Sequence, residues 1–166
     1  MNASQLEVEY KGMEDRHELY AKFGIAAEAA QLFETDLGTL LLCLKALDNG
    51  WHLVPDGEAA LEALNQIDGS TLGRMLHNLK RYIKIERDLD DVFMSALVAR
   101  NQLSHGFFER HNFKIQTEYG RKEMISELEG LHRELYLAWR SASELLTIVT
   151  EVVRRGGERI TDELDP

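Results

Sequence analysis

Between about residues 15 and 48 the apolar side chains Leu19, Phe23, Ala26, Ala30, Phe33, Leu37, Leu40, Leu44 and Leu47 recur three and four positions apart. A helix turns about 100° per residue, so this spacing gathers them on one face and predicts a long helix, with Gly24 and Gly38 as candidate bends. The turn residues of Asn49-Gly50-Trp51-His52-Leu53-Val54-Pro55-Asp56-Gly57 end it, and 58–67 reads as a short helix closing before Asp68-Gly69. Ser70 is the expected N-cap of the next helix, which reaches about Lys84 and turns Leu72, Met75, Leu76, Leu79 and Ile83 inward. Another runs from Asp88 to about His105 with Leu89, Val92, Phe93, Ala96 and Leu103 on its apolar face. The last, 117–155, keeps Met124, Leu128, Leu131, Leu135, Ala142, Leu145, Val149 and Val152 in register and ends at Gly156-Gly157, read as a C-cap. Between these two helices, Phe107, Phe108 and Phe113 are too many aromatics for an idle linker and predict packing onto the core or a partner.

No period-two run long enough for a sheet and no internal repeat is present. The expected fold is therefore all-α: an antiparallel bundle of four main helices plus one short helix. It forms a single helical-bundle domain over 1–157, with 1–14 mobile and 158–166 an acidic C-terminal tail. The length of 166 residues is enough to bury a core without staples. The single cysteine, Cys43, has no disulfide partner and sits in an apolar run as a small core residue. The amino terminus lacks the apolar stretch of a secretory signal, and the most apolar segment, 37–47, is about half the length that spans a bilayer. The expectation is a cytoplasmic protein with no membrane role.

The net charge of −10 opposes tight, non-specific nucleic-acid binding, which depends on neutralising phosphates. The charge is uneven, however. Residues 1–18 and 158–166 are strongly acidic, whereas 74–87 hold Arg74, Lys80, Arg81, Lys84 and Arg87 against Glu86 alone. Around the helix that carries them, Arg74, His77, Arg81 and Lys84 fall in one sector opposite the apolar face, a basic stripe. Residues 100–122 are also locally basic, and Arg110, His111 and Lys114 lie beside the phenylalanine cluster.

One residue breaks the apolar pattern. On the wheel of the helix 88–105, Arg100 falls inside the apolar stripe, about 40° from Ala96. A buried guanidinium costs several kcal/mol unless it is paired, so Arg100 implies a carboxylate partner such as Glu34 or Asp36, a subunit interface, or an anionic ligand. His105 follows five residues on, and Gly106 directly after it is suited to end the helix and let the imidazole turn.

Arg100-Asn101-Gln102-Leu103-Ser104-His105, preceded by Ala96-Leu97-Val98-Ala99 and followed by Phe107-Phe108, resembles the motif of the HEPN superfamily. In that family an arginine, a polar residue after it and a histidine four to six positions on sit in a small helical bundle. The resemblance implies a metal-independent endoribonuclease with catalytic residues Arg100, Asn101 and His105, no cofactor, and a homodimer whose two motifs share a cleft. It further implies a defence or toxin-antitoxin effector with a protein antitoxin or regulator as partner. In the toxin branch a tyrosine two residues after the histidine is modified; here Phe107 stands there and has no hydroxyl. The chemistry suits the residues. Attack by the 2′-hydroxyl of RNA on its own phosphate needs a proton-transferring group near neutral pH and a fixed cation for the phosphorane charge, and Asn101 could orient the imidazole. Arg74, Arg81, Lys84, Arg110, His111 and Lys114 are the expected RNA contacts. The alternative is a non-catalytic helical dimerisation or regulatory module of the same fold, in which Arg100 serves packing. Glu129-x-x-His132 and Glu14-x-x-His17 match the spacing of di-iron bundles, but no set of inward glutamates accompanies them, so no metal site is expected.

Overall fold

A computed structural model describes residues 16–164, with side chains through Gly156. The expectations for residues 1–14 lie outside the described residues. The described chain is all-helical: α1 (His17–Asp48), α2 (Gly57–Asp68), α3 (Leu72–Tyr82), α4 (Arg87–Ser104), the single turn α5 (Phe107–Arg110), a 3-10 turn (Lys114–Gln116) and α6 (Glu118–Leu164). None of its helices is long and apolar enough to cross a membrane.

Local chemistry accounts for most of the boundaries. The α2 N-cap is Asp56, whose carboxylate accepts the Ala59 N–H at 3.0 Å. The α3 N-cap is Thr71 rather than the expected Ser70: the Thr71 hydroxyl accepts the Arg74 N–H at 3.3 Å, while the Ser70 hydroxyl donates backwards to the Gln66 carbonyl at 2.7 Å and closes α2. Thr117 caps α6 by accepting the Gly120 N–H at 3.0 Å. Gly120 itself is required by proximity, because a Cβ there would overlap the Lys114 carbonyl. The largest departure from the sequence expectation is at the end of α6, which passes through Gly156-Gly157 and stays helical to Leu164. Gly156 serves a close approach instead of a C-cap: a Cβ at this position would lie 2.7 Å from the His52 ring.

The two long helices, α1 and α6, make the most extensive pairing in the molecule. Lys22 meets Glu129, Asp36 meets Trp139, and His52 just beyond α1 meets Gly156, so numbers rise together and the two helices run in the same direction. This follows from the number of reversals. With the short α2 inserted, the chain turns back four times between α1 and α6, and an even number of reversals makes the first and last helices parallel. Three other pairs of helices run in opposite directions. Gly38 against Ile67 with Lys45 beside Gln66 orients α2 against α1, and Phe33 against Phe93 with Phe23 against Phe107, just past the end of α4, orients α4 against α1. Lys80 with Asp90 and Gly73 against Leu97 make α3 and α4 a hairpin.

The core lies between α1, α3, α4 and α6, with Phe33, Leu37, Leu40, Leu79, Phe93, Ala96, Leu128 and Leu135 almost completely buried. The Phe33 and Phe93 rings sit 5.5 Å apart and seal α1 to α4 just where Arg100 approaches Glu34. Of the three phenylalanines after the motif, Phe107 is 1% exposed and packs with Phe108 on Phe23, whereas Phe113 is 86% exposed.

Candidate active site

The candidate site occupies the C-terminal end of α4 and the turn that follows. Gly106 has φ +81°, in the left-handed region that glycine enters without the penalty of a Cβ, and this stops α4 after Ser104. His105 is the C-cap, its N–H bonded to the Asn101 carbonyl at 3.0 Å. Its side chain is exposed and, among the described residues, has no side-chain partner. Asn101 is exposed on the same side of the helix, four residues earlier.

Arg100 has an internal carboxylate partner. Its Nε donates to Glu34 Oε1 at 2.6 Å, and Nη1 lies 3.5 Å from Asn101 Oδ1. The ion pair is neither deep nor free, since the side chains are 28% and 31% exposed. Glu34 is one of the two carboxylates the sequence suggested. The other, Asp36, accepts the Trp139 indole N–H at 3.0 Å. The guanidinium is thereby oriented through Nε, and Nη2 has no partner among the described residues. Around the α4 axis Arg100 and His105 are about 140° apart, so they leave the helix on different sides.

Arg110, His111 and Lys114 are all engaged within the chain. Arg110 Nη1 donates to the Gln102 and His105 carbonyls at 3.0 and 3.2 Å, and Nη2 approaches Glu127 at 3.5 Å. His111 is buried against the Phe107 ring, with Nε2 2.8 Å from Glu127 Oε2. That approach lacks the direction of a hydrogen bond, so the imidazole is held by its packing on Phe107. Lys114 pairs with Glu123 at 3.2 Å. Glu127, which comes from a helix remote in the chain, has no signal in the sequence as a partner of Arg110 and His111.

The α3 stripe is different. Arg74, His77 and Arg81 on α3, and Lys84, which lies beyond the helix because α3 stops at Tyr82 rather than reaching it, are exposed and none has a side-chain partner among the described residues. Only Lys80, to one side of the stripe, is tied down, 2.6 Å from Asp90 of α4. The hairpin register puts the N-terminal end of α3 beside the level of Leu97, one turn before Arg100, and carries Arg81 away towards the start of α4.

Other chemistry is sparse. Burial pushes the Cys43 thiol above its ordinary range, which makes it a poor nucleophile. Glu129 is occupied by Lys22 at 2.6 Å and His132 lies against Tyr136. Among the described residues no three His, Cys, Asp or Glu side chains gather in a metal-binding group. Compared with family models, curated proteins and solved structures, the chain has no significant match.

Proposed function

We propose that the chain is a HEPN-like, metal-independent endoribonuclease, in which His105 moves the protons and Arg100 holds the phosphate. The observation that carries this reading is the exposed imidazole of His105 at a glycine-locked helix end, without a side-chain partner, five residues from an oriented arginine. A histidine kept for structure would be buried or bonded, as His111 is. In the mechanism His105 takes the 2′-hydroxyl proton as the 2′-oxygen attacks the adjacent phosphorus, the P–O5′ bond breaks, the departing 5′-oxygen takes a proton from water or from the second copy's histidine, and a 2′,3′-cyclic phosphate forms. The Arg100 guanidinium, aligned by Glu34, offers Nη donors to the developing charge on the phosphoryl oxygens.

The separation of Arg100 and His105 around α4 favours a site shared by two copies, each supplying what the other lacks. The homodimer face would be the exposed stripe of α4 on which Met94 (43% exposed) and Val98 (53%) align with Asn101 and His105. A cytoplasmic location and an antitoxin-like regulator belong to the same proposal, resting on the motif; the antiparallel bundle arrangement rests on the opposed helix pairs, with α1 and α6 as its parallel exception.

The Glu34–Arg100 ion pair favours a second reading: Arg100 pins α1 to α4 in a non-catalytic dimerisation module. Labelled single-stranded RNA incubated with the protein in excess chelator separates the two. Cleavage that leaves a 2′,3′-cyclic end and vanishes in folded His105→Ala supports the enzyme. Inert wild-type protein, freed of any partner and offered diverse RNAs, leaves the module.

A further inference from the structure

We infer that Arg110 is a positioning residue that fixes the His105 backbone, rather than an RNA-contacting cation as its place in a basic segment suggests. The inference rests on the proposed catalytic use of His105.

The last carbonyls of a helix have no intrahelical donors and carry the negative end of its dipole. At the end of α4 one side chain answers both needs: Arg110 Nη1 donates to the Gln102 carbonyl at 3.0 Å and to the His105 carbonyl at 3.2 Å. On the other side of the same residue, the His105 N–H is held by the Asn101 carbonyl at 3.0 Å. Both peptide planes that flank the His105 Cα are therefore fixed, and with them the direction in which its Cβ leaves the chain. The left-handed Gly106 next to it would otherwise be the freest joint in the turn.

The clamp is itself anchored. The Arg110 N–H donates to the Gly106 carbonyl at 2.9 Å, and the guanidinium lies 5.9 Å from the centre of the buried Phe107 ring. Arg110 Nη2 donates to one oxygen of Glu127 of α6 at 3.5 Å, and His111 Nε2 lies 2.8 Å from the other. The C-terminus of α4 is thus tied to α6, the helix that carries most of the core contact with α1. An arginine spent on two carbonyls, a ring and a carboxylate has little left for a phosphate.

The test uses the full chain with Arg110→Ala, Arg110→Lys, and Arg140→Ala as an exposed-cation control on α6. Two readouts are taken: kcat and KM for RNA cleavage, and amide hydrogen exchange at His105. Misplacing a reacting group by about 1 Å can cost about 10²-fold, so Arg110→Ala is expected to lower kcat by up to that factor with KM unchanged. It should also speed exchange at His105. Arg110→Lys keeps the packing on Phe107 but cannot bridge both carbonyls, and is expected to restore part of kcat; it also keeps the test valid should the alanine variant not fold. Raised KM at unchanged kcat, or exchange at His105 no faster than in Arg140→Ala, would overturn the inference. Should the wild type cleave no RNA while exchange at His105 still accelerates, the enzymatic reading fails and the clamp on the turn stands.

Discussion

The motif turn and the α3 stripe are similar in composition and opposite in use. In the turn, Arg100, Arg110 and His111 each meet an internal carboxylate or carbonyl, and only His105 faces solvent alone. In the stripe, Arg74, His77, Arg81 and Lys84 are all exposed without side-chain partners, and it is the flanking Lys80 that is bound. The cause is topological. After α4 the chain doubles back at Gly106 and brings Glu127 of α6 against the turn, while Glu34 of α1 meets Arg100 on α4; no carboxylate pairs with the outer face of α3 among the described residues. Local charge density is therefore a poor guide to which cations are available. The exception in each region marks the contrast: Lys80 is bound beside free cations, and His105 is exposed among engaged ones.

The largest effect should follow from removing that exception. Positioned proton transfer contributes about 10²–10⁴-fold, so His105→Ala is expected to abolish most of the RNA cleavage while the melting temperature stays close to wild type, as suits an exposed side chain. A comparable loss of rate on replacing His77, the exposed histidine of the stripe, would erase the distinction between the two regions.

Next in size is the pair Glu34–Arg100. Breaking a fully buried pair costs about 3–5 kcal/mol, and exposed pairs are worth about 0.2–1 kcal/mol, so this half-covered one should fall between. Glu34→Gln and Arg100→Ala are each expected to lower stability by about 1–2 kcal/mol in denaturant titrations, and the double variant by less than their sum. Their activities should part company: Arg100→Ala loses cleavage, while Glu34→Gln keeps an arginine on site and retains part of it. Equal and total loss in both would mean that Glu34 does more than align the guanidinium.

This division also marks how far the sequence could be read. Helix periodicity placed the elements because burial repeats every three to four residues, and Arg100 stood out because it interrupts that repeat. Gly106 was legible as a helix stop since a left-handed residue is needed directly after His105. Gly156 was misread by the same rule, because a glycine kept for the approach of His52 looks identical in one dimension. Glu127, sixteen residues beyond His111, carries no local sign of reaching Arg110 and His111, so their engagement within the chain is not visible in one dimension. The parallel course of α1 and α6 depended on counting the short α2 as a full reversal.

The smallest expected effect belongs to the stripe. The Arg74 and Arg81 side chains are exposed and have no hydrogen-bond or ion-pair partner among the described residues, so Arg74→Gln and Arg81→Gln should leave the melting temperature close to wild type, as is usual for surface substitutions remote from any network. Their signature should instead be electrostatic. A cation that neutralises one phosphate of a single strand contributes about 0.7 to the slope of log K against log salt, so each variant should flatten that slope by about this amount and weaken binding most at low salt. Lys84 stands past the end of α3 near Glu86 and Asp88 in sequence, and those carboxylates offset its field; Lys84→Gln should change the slope less than either arginine. Fluorescence anisotropy with a labelled oligoribonucleotide, run in the His105→Ala background at several salt concentrations, measures this directly. If Arg74→Gln and Arg81→Gln leave the slope as it was, the stripe is a solvated face and RNA approaches the motif turn from another side.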